Sequence, residues 1–368
     1  MPEVADIFTR YGAEYLQRFG LDLLPSHRLA MEDLHNCRTP ALVGQVYTCD
    51  RCGHQEYSYH SCRNRSCPKC HAHDTEEWLA ARRKELLPVP YFHVVFTLPE
   101  ELRHLVRSHQ KVLYGLLMKS AAEALIKLAL DPHYVGGLVG ILAVLHTGTR
   151  TLVYHPHVHC LVPGGGVDDG GIWRPARENY LVCVGALSKI VRAKFRDGLA
   201  ELLPERRVAA GVWKKDWVVY CKPTVQGTDQ VLTYLARYVH RIAISNSRIL
   251  SIEDGQVTFR YKRAKDSTSK TMTLLAHEFI RRFLQHVLPA GVHKVRYFGL
   301  WHPAHRRLLR QVQLALALET SAPMPASAQP KLATSSGEHS WEGRPCPCCR
   351  QGVLVWQSRL QRQPRAPP

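Results

Sequence analysis

Hydrophobic and polar positions repeat along this chain with two periods, and each change of period marks a change of element. Val4, Ile7, Phe8, Tyr11, Tyr15 and Phe19 recur at helical spacing, with Gly20 as a stop. Pro25 then opens a second helix carrying Leu29, Met31 and Leu34. Thr75 to Leu87 reads as a helix ended by Pro88 and Pro90. From Tyr91 to Leu98 the period drops to two, with Phe92, Val94, Phe96 and Leu98 on one face and Tyr91, His93, Val95 and Thr97 on the other. A long helix is predicted over 100–130, and Ile141 to Leu145 is apolar and β-capable. The stretch from Thr151 to Val162 alternates again. Leu152, Tyr154, Pro156, Val158, Cys160 and Val162 share one face, and Val153, His155, His157, His159 and Leu161 the other.

Beyond the loop of Gly164 to Gly171, Leu187 to Leu203 is a basic amphipathic helix and Trp217 to Lys222 a short strand. Asp229 to Ile242 is helical, with Val231, Leu235, Val239 and Ile242 as its core stripe. Tyr234 and Tyr238 stack four apart on the edge of that stripe, and Arg237 and Arg241 lie just beyond them. Short strands follow at 249–252 and 256–262, then a helix from His277 to Leu288. Thr320 to Gly337 is rich in Ala, Pro and Ser and reads as a linker.

Composition narrows the class. Forty-nine Lys and Arg against thirty-one Asp and Glu give a net charge of +18, the balance of a nucleic-acid binder. No apolar run is long enough to span a bilayer, and no signal peptide opens the sequence, so the expected compartment is a reducing cytoplasm. There, twelve clustered cysteines favour metal binding over disulfides.

Cys49-Asp-Arg-Cys52 and Cys67-Pro-Lys-Cys70 are two C-x2-C knuckles separated by fourteen residues, the spacing of a zinc ribbon. Four thiolates close a tetrahedral shell, so the expected Zn²⁺ is structural. Cys37 and Cys62, like His54, His60, His71 and His73 nearby, read as spectators, with substitute ligands or a second metal site as the alternatives. Arg63, Arg65 and Lys69 on and beside the ribbon's loop suit DNA phosphates. Cys346-Pro-Cys-Cys349 is one knuckle without a clear second, a half site that leaves zinc binding there open.

In the histidine strand, residues two apart lie about 7 Å apart at their α-carbons, so neighbouring imidazoles can converge on one ion. The pair is His157 with either His155 or His159. Two neutral imidazoles leave open positions for a Lewis-acidic ion on a phosphoryl oxygen. Tyr234 or Tyr238 can attack the phosphorus, storing the phosphodiester's energy as a covalent ester. His93 and His240 are candidates for a third ligand.

His157-Val158-His159 is an HUH motif (histidine, bulky apolar residue, histidine), and Tyr234-Leu-Ala-Arg-Tyr238 resembles a paired-tyrosine motif. With Ser61 to Cys70, Phe92 to Pro99, Tyr154 to Val162 and Tyr234 to Arg248, these motifs make the chain resemble, over nearly its whole length, the two-tyrosine rolling-circle transposases of the IS91 type. The resemblance implies an α+β architecture: an N-terminal zinc-ribbon module and a ferredoxin-like HUH nuclease core with a five-stranded antiparallel sheet. It implies Mg²⁺ or Mn²⁺ on His157 and His159. It also implies a tyrosine that nicks single-stranded DNA at the element's ends, leaving a 5′-phosphotyrosine that is joined to target DNA, with the zinc part helping to recognise those ends. The expected boundaries are a helical segment over 1–36, a zinc-binding domain over 37–90, a catalytic domain over 91–310, a linker over 311–343 and a basic tail over 344–368. A replication initiator or relaxase with the same core is the first rival, and a non-catalytic zinc-ribbon DNA-binding protein the second.

Overall fold

The computed structural model describes residues 2–70, 78–224, 230–231, 239, 242–262, 268–320 and 341–361. They form two compact units. One comprises Met1–Asp74, Ile242–Val287 and Ala328–Pro368, the other Thr75–Arg241 and Leu288–Ser327. In chain order, the first unit opens with α1 (Val4–Phe19), α2 (Pro25–Asn36), β1 (Gly44–Cys49) and β2 (Gln55–Tyr59). The second opens with helical residues over 78–83 and then β3 (Tyr91–Thr97), α3 (Arg103–Ser108), α4 (Gln110–Ala129), β4 (Gly140–Gly148) and β5 (Tyr154–Pro163). It continues through β6 (Gly165–Val167), β7 (Trp173–Pro175), α5 (Val184–Leu202), α6 (Ala210–Lys214) and β8 (Val219–Pro223). The chain returns to the first unit with β9 (Ile249–Glu253), β10 (Gln256–Tyr261), β11 (Lys270–Leu275) and α7 (Ala276–Leu284). It crosses again for β12 (Val295–Gly299) and α8 (Arg306–Thr320), and ends on β13 (Leu354–Arg359) in the first.

The second unit is built on a five-stranded sheet in the order β12-β4-β5-β3-β8, every neighbouring pair antiparallel. Followed along the chain, β3, α4, β4, β5, α5 and β8 trace a βαββαβ path with spatial order β8-β3-β5-β4, the ferredoxin-like arrangement, and β12 is added beside β4. The expected α+β class and antiparallel sheet are therefore found.

Strand alternation sends two sets of side chains to the two faces. Phe92, Val94, Phe96, Ile141, Ala143, Leu145, Val158, Cys160 and Val162 form one dry core with Leu117 and Leu125 of α4 and Leu187, Val191 and Phe195 of α5. Each such aliphatic or aromatic side chain, fully buried, contributes roughly 1.5–3 kcal/mol. On the opposite face, Leu142, Val144, Leu161 and Tyr91 share a second core with Trp301 and with Leu309, Val312 and Leu316 of α8. Along that face the cross-strand pairs change from Leu142–Leu161 to Val144–His159 and then His146–His157. The apolar cover thus gives way to imidazoles.

In the first unit, α1 packs on α7, with the rings of Phe8 and Phe283 edge to face at 5.4 Å. The strands β9, β10 and β11 form one antiparallel sheet, and β13, β1 and β2 another. Two expectations are corrected. Residues 242–287 fold with the N-terminal residues, not with the histidine sheet. The C-terminal stretch is not a free tail, because β13 pairs with β1 from Gln45–Arg359 to Cys49–Leu354. The expected linker lies mostly outside the described residues. No helix among the described residues is long and apolar enough to cross a membrane.

Candidate metal centres and the tyrosine segment

His146 near the end of β4 and His157 and His159 on β5 bring their ring nitrogens within 4.8 Å of one another. His146 and His157 are cross-strand partners, and alternation puts His159 on the same face two residues on. The ring centroids of His146 and His159 are 4.4 Å apart, and those of His157 and His159 4.8 Å. Each β5 imidazole has a neighbour that sets its orientation. The Nδ1 of His157 lies 2.6 Å from the carbonyl oxygen of His155, which fixes the proton on Nδ1 and puts the lone pair on Nε2. The Nδ1 of His159 is 2.7 Å from Nε2 of His93 on β3, with the planes of the two rings nearly parallel at 3°. Burial lowers His93 to a pKa of about 4, so it is a neutral partner.

The structure thus brings together His157 and His159 and adds His146. His155 is turned to another task, its Nδ1 standing 2.9 Å from Nη2 of Arg103, and burial followed by the Arg103 charge lowers its pKa. His93 stands behind His159 and is not one of the three converging rings. At the sheet edge, half-exposed Tyr220 lies edge-on to His93 at 6.2 Å, and Nζ of Lys222 is 5.4 Å from the Tyr220 ring. Neither β8 residue carries a signal in the sequence beyond strand alternation.

Tyr234, Arg237, Tyr238, His240 and Arg241 lie outside the described residues. The segment's two described valines, Val231 and Val239, are buried in the same cluster as Leu142, Val144 and Leu161, on the sheet face that carries the three histidines.

The cysteines group differently from the expected single ribbon. Cys37, Cys62, Cys67 and Cys70 form one set, and Cys49, Cys52, Cys346 and Cys349 another. The reason is the β1–β2 hairpin. Cys49 sits where β1 ends, and β2 then returns to the Gly44 end before Cys62 is reached. The six residues of β1 separate the two ends of the hairpin by roughly 16 Å, too far for Cys49 and Cys52 to share an ion with Cys67 and Cys70.

In the first set, Sγ of Cys37 is 3.5 Å from Sγ of both Cys67 and Cys70, and Cys62 is 3.6 Å from Cys70. Zn–S bonds of about 2.3 Å in a tetrahedron give S···S edges of about 3.8 Å. Hydrogen bonds from Cys62 and then Cys67 lower the Cys37 thiol to about 7, which favours a thiolate. Of the expected DNA contacts here, Arg63 and Arg65 are exposed, whereas Lys69 is tied to Glu3 at 2.7 Å.

Comparison with known proteins bears on both regions. The family profile described as "Transposase zinc-binding domain" matches residues 7–98, and the one described as "Putative transposase" matches residues 140–308. The chain is 40% identical to "Putative transposase y4qJ" of Sinorhizobium fredii, over 96% of this chain and 94% of that protein. It is 30% identical to "Transposase for insertion sequence element IS801" of Pseudomonas savastanoi pv. phaseolicola, over 78% of this chain and 74% of that one. No solved structure matches the chain. The zinc-binding profile covers the first cysteine set, the transposase profile covers the three histidines, and the likeness to y4qJ runs almost end to end, so the chain belongs to the IS91-type transposases with their N-terminal zinc-binding domain.

Proposed function

We propose that this transposase nicks and rejoins single DNA strands by tyrosine transesterification in rolling-circle transposition, as an HUH endonuclease working in the cytoplasm. The supporting observation is the convergence of His146, His157 and His159 at the end of a sheet face whose buried cluster also holds Val231 and Val239, which flank the tyrosine pair. Three imidazole nitrogens suit a divalent ion that keeps open positions. His146, His157 and His159 would hold it. Mg²⁺ or Mn²⁺ bound there supplies Lewis-acid polarisation of a phosphoryl oxygen.

Tyr234 or Tyr238 acts as nucleophile. Its Oη bonds to phosphorus, the P–O3′ bond breaks, and the phenolic proton ends on the departing 3′-hydroxyl. The phosphodiester count is conserved, so a later 3′-hydroxyl can attack the 5′-phosphotyrosine and restore the phenol without water. A phenol ordinarily titrates near pH 10. Arg237 and Arg241, each three residues after a tyrosine in the sequence, favour its anion and seat the phosphate. His93 holds His159 in the tautomer whose Nε2 carries the lone pair. Tyr220 and Lys222 offer a base a ring to stack on and a phosphate a charge. Arg63, Arg65 and Lys69 belong to the zinc-binding part, where Cys37, Cys62, Cys67 and Cys70 hold a structural Zn²⁺ and the unit recognises the element's ends.

The test is a covalent adduct. With single-stranded DNA from the element's end and Mn²⁺, the wild type is expected to form a protein–DNA adduct that survives denaturation. Tyr234→Phe/Tyr238→Phe should form none. His157→Ala and His146→Ala should each lower adduct yield by at least about a hundredfold while DNA binding stays within about threefold. An adduct formed equally well by the double tyrosine variant sinks the mechanism.

A further inference from the structure

We infer that Cys49, Cys52, Cys346 and Cys349 bind a second zinc ion, in a ribbon whose two knuckles come from opposite ends of the chain. Half of this site lies far outside the zinc-binding profile, which stops at residue 98. The inference does not depend on the tyrosine chemistry.

Geometry carries it first. Sγ of Cys49 is 3.7 Å from Sγ of Cys349, and Sγ of Cys52 is 3.7 Å from Sγ of Cys346. All four sulfurs lie within 4.8 Å of one another. These separations match the edge of about 3.8 Å expected around one tetrahedral zinc. They are far from the S–S bond of about 2.05 Å that a disulfide needs.

The backbone repeats the same device twice. In the first knuckle, the residue after the second cysteine, Gly53, has a φ of +70° and donates its N–H to the carbonyl of Cys49. In the second, Arg350 occupies the equivalent place with a φ of 56° and donates to the carbonyl of Cys346. The amide of each first cysteine is also held, Cys49 by the carbonyl of His54 and Cys346 by that of Gly352. Amides point at sulfur in both: Arg51 N at Cys49 Sγ and Gly352 N at Cys349 Sγ, each 3.4 Å. Such N–H groups stabilise thiolates rather than thiols. Arg350 is a non-glycine residue in the left-handed region, a conformation that costs energy and persists only where its surroundings impose it.

The two knuckles are also fastened to each other. Asp50 N donates to the carbonyl of Val353 at 3.1 Å, and Val353 N donates to Oδ1 of Asp50 at 2.9 Å. Gly352 is packed so closely that a Cβ there would lie 2.6 Å from Sγ of Cys49. Buried Tyr47 and Leu354 cover the inner side with Cys49 and Cys346. Cys348 stands in the same knuckle, exposed and outside the four-sulfur set, which supplies an internal control.

Four converging thiolates leave no open position, so the ion is structural. Its task is to clamp the β13 segment to the N-terminal unit. The clamp closes a loop that spans most of the chain, the situation in which a metal cross-link constrains the unfolded state most. The ribbon can therefore be completed only after the last stretch has been synthesised.

Metal counting on the purified full chain tests this. The wild type is expected to hold two zinc ions and no iron per chain, and Cys348→Ser should also hold two. Cys346→Ser/Cys349→Ser should hold one, as should Cys49→Ser/Cys52→Ser, whereas Cys349→His should keep two. A native wild-type count of one zinc, or iron in the second position, overturns the inference, as does a second ion retained by the double-serine variants. Because a serine variant can misfold, the wild type is also alkylated without denaturant and mapped by mass spectrometry. Cys348 should react at once, and Cys49, Cys52, Cys346 and Cys349 only after chelation. Equal reactivity of all five before chelation overturns the site.

Discussion

His93 occupies the point where a histidine's protonation and the candidate catalytic centre meet. Its Nε2 is 2.7 Å from Nδ1 of His159, and burial lowers it to about 4 from an ordinary 6.5. Between those values the unfolded chain binds the proton and the folded chain does not, so stability rises with pH across that window. The contribution is whole above about pH 6.5 and is lost as the pH falls toward 4, with a ceiling on the order of 3 kcal/mol. Urea titrations of metal-free protein at pH 7 and pH 4.5 should show this loss. His93→Gln should lose less over the same interval; an unchanged pH dependence would remove His93 as its source. At this scale the sequence was partly legible. His157 and His159 stand out because β5 alternates between a buried face and a half-buried one. His146 does not, because its strand is buried on both faces and shows no alternation. The apolar run Ile141 to Leu145 ends one residue before His146. Cys37 and Cys62 join the first cysteine set only in the fold, since neither belongs to a knuckle.

At the scale of elements, the strands that flank the site were readable and the one that closes the sheet was not. β3 and β5 carry a period of two and fall where the pattern puts them. β12 is an edge strand with the mixed sequence Val295-Arg-Tyr-Phe-Gly299, mostly half-buried, so no period marks it. Its end is set by Gly299, at φ +58°, where a Cβ would lie 2.0 Å from the carbonyl oxygen of Val139. Only glycine fits both constraints. Gly299→Ala is therefore expected to cost at least about 2 kcal/mol through backbone strain and displacement of β12 from β4. Denaturant midpoints would register the loss, and a variant as stable as wild type would show that β12 is free to shift. The cysteine grouping belongs to this scale too. Spacing identified the Cys49 and Cys67 knuckles, but hairpin length decided that they could not meet.

For the whole molecule, linear segmentation failed for a physical reason: sequence proximity carries no information about which distant stretch completes a sheet. The first unit is assembled from three separate stretches, and its ribbon borrows a strand from the far end. What the sequence does carry at this scale is charge, +18 over the chain. Each phosphate neutralised on single-stranded DNA releases counterions, with a slope of about −0.7 per contact in log affinity against log salt. Of the five expected cationic contacts, Lys69 is paired with Glu3 at 2.7 Å, and the slope expected from the other four follows from their number. Four contacts give a slope of about −2.8, so raising salt from 50 to 200 mM should weaken binding by about fiftyfold. Fluorescence anisotropy with a labelled element-end oligonucleotide measures it. Arg63→Gln should make the slope shallower by about 0.7, whereas Lys69→Gln should leave it nearly unchanged and instead loosen the α1 terminus that Glu3 caps. A flat salt dependence would mean that the basic surplus is spread over surfaces that never meet DNA. An equal loss from Lys69→Gln would mean that the Glu3 pair opens when DNA arrives.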